Sequence, residues 1–232
     1  MSKTIFITGM SSGIGLATAK LFYAKGWNVM DVTDSRSIGT AIEAAIRKFS
    51  KVDLLVNSAG YGQNGIFEMV SPEQTRRQFD VNVFGVMDVI RAFLPHLRIE
   101  GGGIINISSG AGVFTLPMLS LYRSSKFALE GFTEALAYEL ASQNIFVKSV
   151  IPHGDAPSYA DYAMKTMKAY ERMSAARTIS SDNVADVIYA AATDGTDKLR
   201  YFVGNDTRGF IKARYKSTSD DDYVQHMRSF FA

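Results

Sequence analysis

Thr4-Ile5-Phe6-Ile7-Thr8-Gly9-Met10-Ser11-Ser12-Gly13-Ile14-Gly15 is the stretch on which the fold turns. Its first five residues are β-branched or aromatic and stop at a glycine, which reads as a buried strand. Beyond it Ile14, Ala17, Leu21 and Phe22 share one face of a helix over about 13–25, with Gly26 as its stop. Three glycines between a strand and a helix let the backbone turn tightly, and the free N–H groups of the helix N-terminus then favour a bound pyrophosphate. A glycine turn alone is weak evidence of a ligand; its place between strand and helix gives it weight.

Outward from this turn the same alternation continues. Strands are expected over 27–33, 52–56, 104–107, 146–151 and 200–203, and helices over 35–49, from Ser71 onward, 80–97, 121–142 and 181–193. Ser71 as N-cap and Pro72 in the first turn are start signals. Strands separated by helices of this length imply the α/β class, a doubly wound parallel sheet with right-handed crossovers and both faces covered. No repeat, low-complexity tract or linker divides residues 1–232, so a single domain is expected. The polar tail, 212–232, is expected on the surface.

Twenty-five basic and twenty-three acidic residues leave a formal charge of +2, and neither sign forms a run of the kind that binds nucleic acid. The chain has no cysteine, which excludes disulfides, thiolate nucleophiles and cysteine metal sites and suits a reducing compartment. No stretch approaches the ~20 apolar residues of a membrane span, and 3–8 runs straight into the glycine turn rather than forming a leader. A cytoplasmic protein with neither nucleic acid nor membrane as partner is expected. His96, His153 and His226 are too scattered for a metal site, and only His153, beside Gly154, is placed to face a ligand. Met164, Met167 and Met173, with Tyr162 and Tyr170, fit helix packing better than an apolar pocket.

Further motifs follow the glycine turn: Asn57-Ser58-Ala59-Gly60, Asn82 in Phe79-Asp80-Val81-Asn82-Val83, Ser109 closing Ile107-Ser108-Ser109, Tyr122 and Lys126 as Y-x-x-x-K, and Pro152-His153-Gly154. With T-G-x3-G-I-G at 8–15, this set resembles the short-chain dehydrogenase/reductase family, in that family's order and over most of the chain. The resemblance implies a Rossmann-like fold, NAD or NADP as cofactor, and hydride transfer between the nicotinamide and a small alcohol or carbonyl substrate. It implies a catalytic set of Asn82, Ser109, Tyr122 and Lys126, with Asn82 holding a water of the proton relay. Cofactor contacts carry over onto Gly9, Ser11, Ser12, Gly13, Ile14, Gly15, Asn57, Ala59, Gly60, Tyr122, Lys126, Pro152 and Gly154. Also implied is a homodimer or homotetramer assembled through the helix that bears Tyr122.

Residue chemistry points the same way. Tyr122 and Lys126 lie one helical turn apart on one face. A phenol with a pKa near ~10 is a poor base at neutral pH, and a neighbouring ammonium is expected to lower it. Ser109 falls at the carboxyl end of a parallel strand, where ligands bind in open α/β sheets. Each residue has a plainer role too: a helix-face pair, turn-forming serines, a backbone-bonding asparagine. Their joint order favours an enzyme over the competing expectation, a cofactor-sensing or scaffold protein that keeps the fold without turnover.

Two places depart from the family pattern. Residues 27–30 resemble its second strand, whereas Asp31-Val32-Thr33-Asp34-Ser35 resembles the segment after its third, so a helix and a strand look absent near 30/31. An aspartate also sits poorly in a strand buried on both faces. Asp31 reads either as the acid that binds an adenosine ribose or, preferred, together with Val32 as an adenine contact beside a junction. After Gly154, Asp155-Ala156-Pro157-Ser158 replaces the hydrophobic-x-Thr that in the family contacts the nicotinamide amide, and the substrate loop looks shortened near 154/155. For a continuous chain the expected sheet order, in the family's strand numbering, is 2-1-4-5-6-7, with weakened cofactor binding.

Overall fold

In the strand β1 (Thr4–Thr8), Ile5 and Ile7 point to one face and Phe6 to the other, and all three are wholly buried. A strand apolar on both sides needs a covering layer over each. The computed structural model, which describes residues 2–32, 38–152, 179–204 and 209–229, supplies both layers. After β1 come α1 (Gly13–Ala24), β2 (Asn28–Val32), α2 (Ile38–Phe49), β3 (Leu54–Asn57), α3 (Pro72–Phe79) and α4 (Gly85–Glu100). Then follow β4 (Gly102–Ile107), α5 (Ser120–Leu140), β5 (Ile145–Pro152), α6 (Ser181–Thr193), β6 (Arg200–Val203), α7 (Phe210–Lys216) and α8 (Asp220–Arg228). The described sheet is parallel throughout, in the order β2-β1-β3-β4-β5-β6. This is the doubly wound, Rossmann-like domain expected, in the order expected of a chain running straight through 30/31.

On one face α1 and α6 cover Ile5, Ile7, Val56 and Ile105 with Phe22, Val184 and Ile188. On the other, α2, α4 and α5 cover Phe6, Leu55 and Ile104 with Ile42, Phe93 and Leu129. Phe6 and Phe93 meet edge to face with ring centres 4.6 Å apart. The start signal at Ser71 is realised as a full capping box with Gln74.

Three expectations are corrected. The helix expected over 80–97 opens as a π turn at Asp80–Phe84 before α4 begins; because the turn lies at the start of that stretch, the apolar spacing of α4 carries no trace of it. The tail is not merely a surface feature, because Tyr223 and Met227 are buried together with Phe210, just ahead of it, and with Phe114, Leu116 and Ile151. Its polar composition masks two inward-facing side chains. Finally, β2 is the edge of the described sheet, with Asn28, Val29 and Met30 only half-buried. Its pairing with β1 continues unbroken through Met30 and Asp31. The premise that Asp31 belongs to a strand covered on both faces therefore does not hold. The segment around 154/155 and the methionines and tyrosines of 162–173 lie outside the described residues.

A polar seam crosses the sheet beneath the loops. Asn57 Nδ2 donates to Asn106 Oδ1 at 2.8 Å, and Asn106 Nδ2 donates to the Thr133 hydroxyl of α5 at 2.9 Å. All three residues are buried, so their partners are one another, and the seam fixes β3, β4 and α5 in register. Asn106→Ala strands the Asn57 amide and should cost about 1–3 kcal/mol, read as a lower urea midpoint at an unchanged m-value.

Candidate active site

Those residues singled out in the sequence that the structure describes converge at the carboxyl ends of the strands, where the loops of such a sheet meet. Gly9 has a φ of +77°, and a Cβ on it would lie 2.9 Å from the Ala59 Cα. A Cβ on Gly15 would lie 2.2 Å from the Gly9 carbonyl oxygen, so the first turn of α1 rests on bare backbone. Ser11, Ser12 and Gly13 are exposed, and Ile14 is half-buried. Ser12, the N-cap of α1, makes no side-chain cap bond, and the first turn holds no acidic residue. No side chain there competes with an incoming anion for the N–H groups.

The Thr8 hydroxyl accepts from the Ser58 and Ala59 N–H groups, both at 3.1 Å, which ties 57–60 to the glycine turn. Asp31 and Val32 end β2 opposite Ile7 and Thr8, on the same edge of the sheet. Pro152 ends β5. His153 and Gly154 lie outside the described residues.

Tyr122 sits in the first turn of α5, where a Cβ on Gly62 would pack 3.5 Å from its ring. Ser109 caps the short turn Gly110–Gly112, accepting from the Ala111 N–H at 3.1 Å, and its side chain lies toward the Tyr122 phenol. Lys126, one turn further along α5, is buried and donates from Nζ to the Ile107 carbonyl at the end of β4, 2.9 Å away. Asn82 is buried in the π turn. It accepts from the Tyr61 N–H (3.1 Å) and donates to the Tyr61 carbonyl (2.9 Å) and the Ser125 hydroxyl (3.2 Å). A Cβ on Gly60 would fall 3.2 Å from Asn82 Oδ1 and 3.8 Å from Lys126 Nζ, so these residues share one wall. Both amide donors of Asn82 are engaged by protein, and its side chain clamps the loop after β3 to α5.

Residues 28–166 match the family model described as short chain dehydrogenase. The chain belongs to this family. Short-chain dehydrogenases are NAD(P)-dependent oxidoreductases. The chain is 31% identical to an uncharacterised oxidoreductase of Schizosaccharomyces pombe, covering 94% of this chain and 88% of that one. That alignment runs over 256 positions against a chain of 232 residues, so the relative carries segments that this chain lacks. A 3-oxoacyl-[acyl-carrier-protein] reductase of Thermotoga maritima is 29% identical over 83% of this chain and 91% of its own. Among solved structures, a short-chain dehydrogenase from Streptomyces avermitilis superposes with a TM-score of 0.84 at 25% identity, covering 99% of both chains.

The electrostatics of this short-chain dehydrogenase reverse one expectation. Burial pushes the Tyr122 phenol above its ordinary value, against the pull of the Ser109 side chain and the Arg123 charge. Lys126, turned to the Ile107 carbonyl, is itself pushed down to about 8 by burial, against the charge of Glu130. Helical spacing puts the two side chains on one face, but burial, which favours the neutral form of each, sets the direction of both. Tyr122 is thus held as a neutral phenol.

Sequence reasoning missed the support around this set. Gln78 is wholly buried, donating to the Tyr61 carbonyl at 2.8 Å and accepting from the Gln63 N–H at 2.6 Å. A glutamine in the polar run Pro72–Phe79 carries no signal of burial. An apolar groove of about 580 Å³ runs between Thr115, Leu116 and Pro117, which follow the Ser109 turn, and Tyr223, Val224 and Met227 of α8.

Because the folded Lys126 midpoint, about 8, lies below the free value of 10.5, the unfolded chain retains the proton longer as pH rises. The stability contributed by this group therefore grows through that window. Lys126→Met lacks the gain, so the wild type should gain about 2–3 kcal/mol relative to the variant between roughly pH 8 and pH 10.5. Urea midpoints across that range check it.

Proposed function

We propose that this protein reduces the carbonyl group of a small molecule with hydride from NADH or NADPH, Tyr122 supplying the proton. One observation carries the reading: a phenol that burial favours in its neutral form lies toward Ser109 and one turn from a buried lysine. A protonated phenol is a general acid, and a carbonyl oxygen taking up hydride needs one. The named reductases among the relatives, of 3-oxoacyl-[acyl-carrier-protein] and of 3-ketodihydrosphingosine, support the direction.

Gly9, Ser11, Ser12, Gly13, Ile14 and Gly15 would hold the pyrophosphate, with Asp31 and Val32 toward the adenosine end. Asn57, Ala59, Gly60, Tyr122, Lys126, Pro152 and Gly154 would flank the nicotinamide half. The bound dinucleotide supplies the hydride. Ser109 holds the substrate oxygen, Tyr122 delivers its hydroxyl proton to that oxygen, and Lys126 places positive charge beside the site. Asn82 keeps the loop after β3 seated on α5. In reverse, the tyrosinate takes the alcohol proton, so oxidation needs a more alkaline medium than reduction. The apolar groove beside the Ser109 turn suits the apolar part of a carbonyl compound.

Phe84, Ile99 and Tyr138, exposed on the π turn, α4 and α5, support association through the Tyr122-bearing helix into a homodimer or homotetramer. The same reading places the protein in the cytoplasm, which the absence of cysteine suits. Among the described residues no helix is long and apolar enough to cross a membrane.

Nicotinamide absorbance followed over a panel of ketones and secondary alcohols tests the reading. Tyr122→Phe should lower turnover by about 10²–10⁴-fold while leaving the far-ultraviolet circular dichroism unchanged. Undiminished turnover in that variant sinks the assignment. With the wild type, the optimum for alcohol oxidation should lie at higher pH than that for ketone reduction; coincident optima would contradict the neutral phenol.

A further inference from the structure

Along α5 a row of ionisable side chains recurs one turn apart: Tyr122, Lys126, Glu130 and Glu134. The first two belong to the proposed reaction, whereas Glu130, only 5% exposed, has no part in it so far. One oxygen of Glu130 accepts from the Ser149 hydroxyl of β5, and the other from Arg200 Nε of β6 at 2.9 Å. A second nitrogen of Arg200 reaches Glu134 at 2.5 Å. The carboxylate is therefore gripped from two strands and cannot turn away.

On its other side Glu130 meets the catalytic turn. A Cβ on Gly112 would fall 2.8 Å from Glu130 Cγ, 2.9 Å from the Lys126 carbonyl oxygen and 3.0 Å from Ser108 Oγ. The Ser109 turn thus packs directly on the helix face that carries both Lys126 and Glu130. Burying a carboxylate is costly unless cations and donors compensate it, and Arg200 is shared with Glu134. Lys126 is the other buried cation along the row. Tyr122 and Glu130 stand one turn to either side of Lys126 on α5, Asn82 of the π turn shares with it the space beside Gly60, and its Nζ donates to the Ile107 carbonyl of β4. The Ser108 and Ser109 hydroxyls lie in the adjoining turn, and Arg200 stands behind Glu130.

We propose that Glu130 is a positioning residue for the reaction: clamped by Ser149 and Arg200, it supplies the counter-charge that keeps Lys126 an ammonium beside the Ile107 carbonyl. This rests on the reading of Lys126 as part of the site. Glu130 itself touches neither substrate nor reacting atoms.

In protein labelled with 15N-lysine, the Lys126 Nζ resonance, assigned by its loss in Lys126→Met, reports the charge of that side chain against pH. Glu130→Gln keeps size and an acceptor oxygen but not the charge, and should move the Lys126 midpoint down by about one unit or more. Glu130→Asp keeps the charge and should leave the midpoint near that of the wild type. A folded Glu130→Gln protein with the wild-type midpoint overturns the proposal, whatever its activity. So does Glu130→Asp, if it shifts the midpoint as far as Glu130→Gln, since shape rather than charge would then be acting. Should Glu130→Gln fail to fold with Arg200 unpaired, Glu130→Gln combined with Arg200→Gln removes both charges; the same fall is expected there, and its absence is equally fatal. The titration needs no turnover, so its outcome is separate from that of Tyr122→Phe.

Discussion

Two parallel strands cannot be joined by a tight turn, because the chain must return to the end from which it started. Nearly everything in this molecule depends on that constraint. Each return in the described sheet is helical where the connecting residues are described, and the helices fall on both faces because both faces of the strands are apolar. All the carboxyl ends then lie on one edge, and the loops that leave them become neighbours although they are far apart in sequence. Thr8 binding the N–H groups of Ser58 and Ala59 is the local expression of this. The site is assembled by chain direction before any catalytic side chain is considered.

What the site can do follows from how dry it is. The seam of Asn57, Asn106 and Thr133 draws α5 onto the sheet, and α5 carries Tyr122 and Lys126 with it. Burial acts on the two groups in opposite senses, raising the phenol and lowering the ammonium, because each is driven toward its neutral form. A neutral phenol is the form that donates a proton. A lysine driven toward neutrality needs an anion to remain charged, and on this helix the anion one turn away is Glu130. Its carboxylate is held from β5 and β6, so the last strands of the sheet bear on the chemistry at the other end of the row.

Much of this was legible in the residues. The run 4–15 contains a strand, a turn that tolerates no Cβ and a helix start, all local properties of β-branched residues and glycine, and each was realised. The order of Asn82, Ser109, Tyr122 and Lys126 likewise marked residues that the fold brings together. The π turn around Asn82 was not legible, since it lies ahead of α4, whose own apolar periodicity is intact. Nor was the inward face of the tail, where Tyr223 and Met227 are spread through polar surroundings. The burial of Gln78 and Glu130 had no signal either, because polar side chains look alike in sequence whether solvated or paired.

By itself, then, the sequence determined the element types, the turn geometry and the helix face that Tyr122 and Lys126 share, because these depend on backbone conformation and on spacing within one helix. Only the tertiary structure decided the charge states and the partners of Lys126, Asn82 and Glu130. Desolvation and long-range hydrogen bonds arise when segments tens of residues apart close over one another, and no local pattern records them.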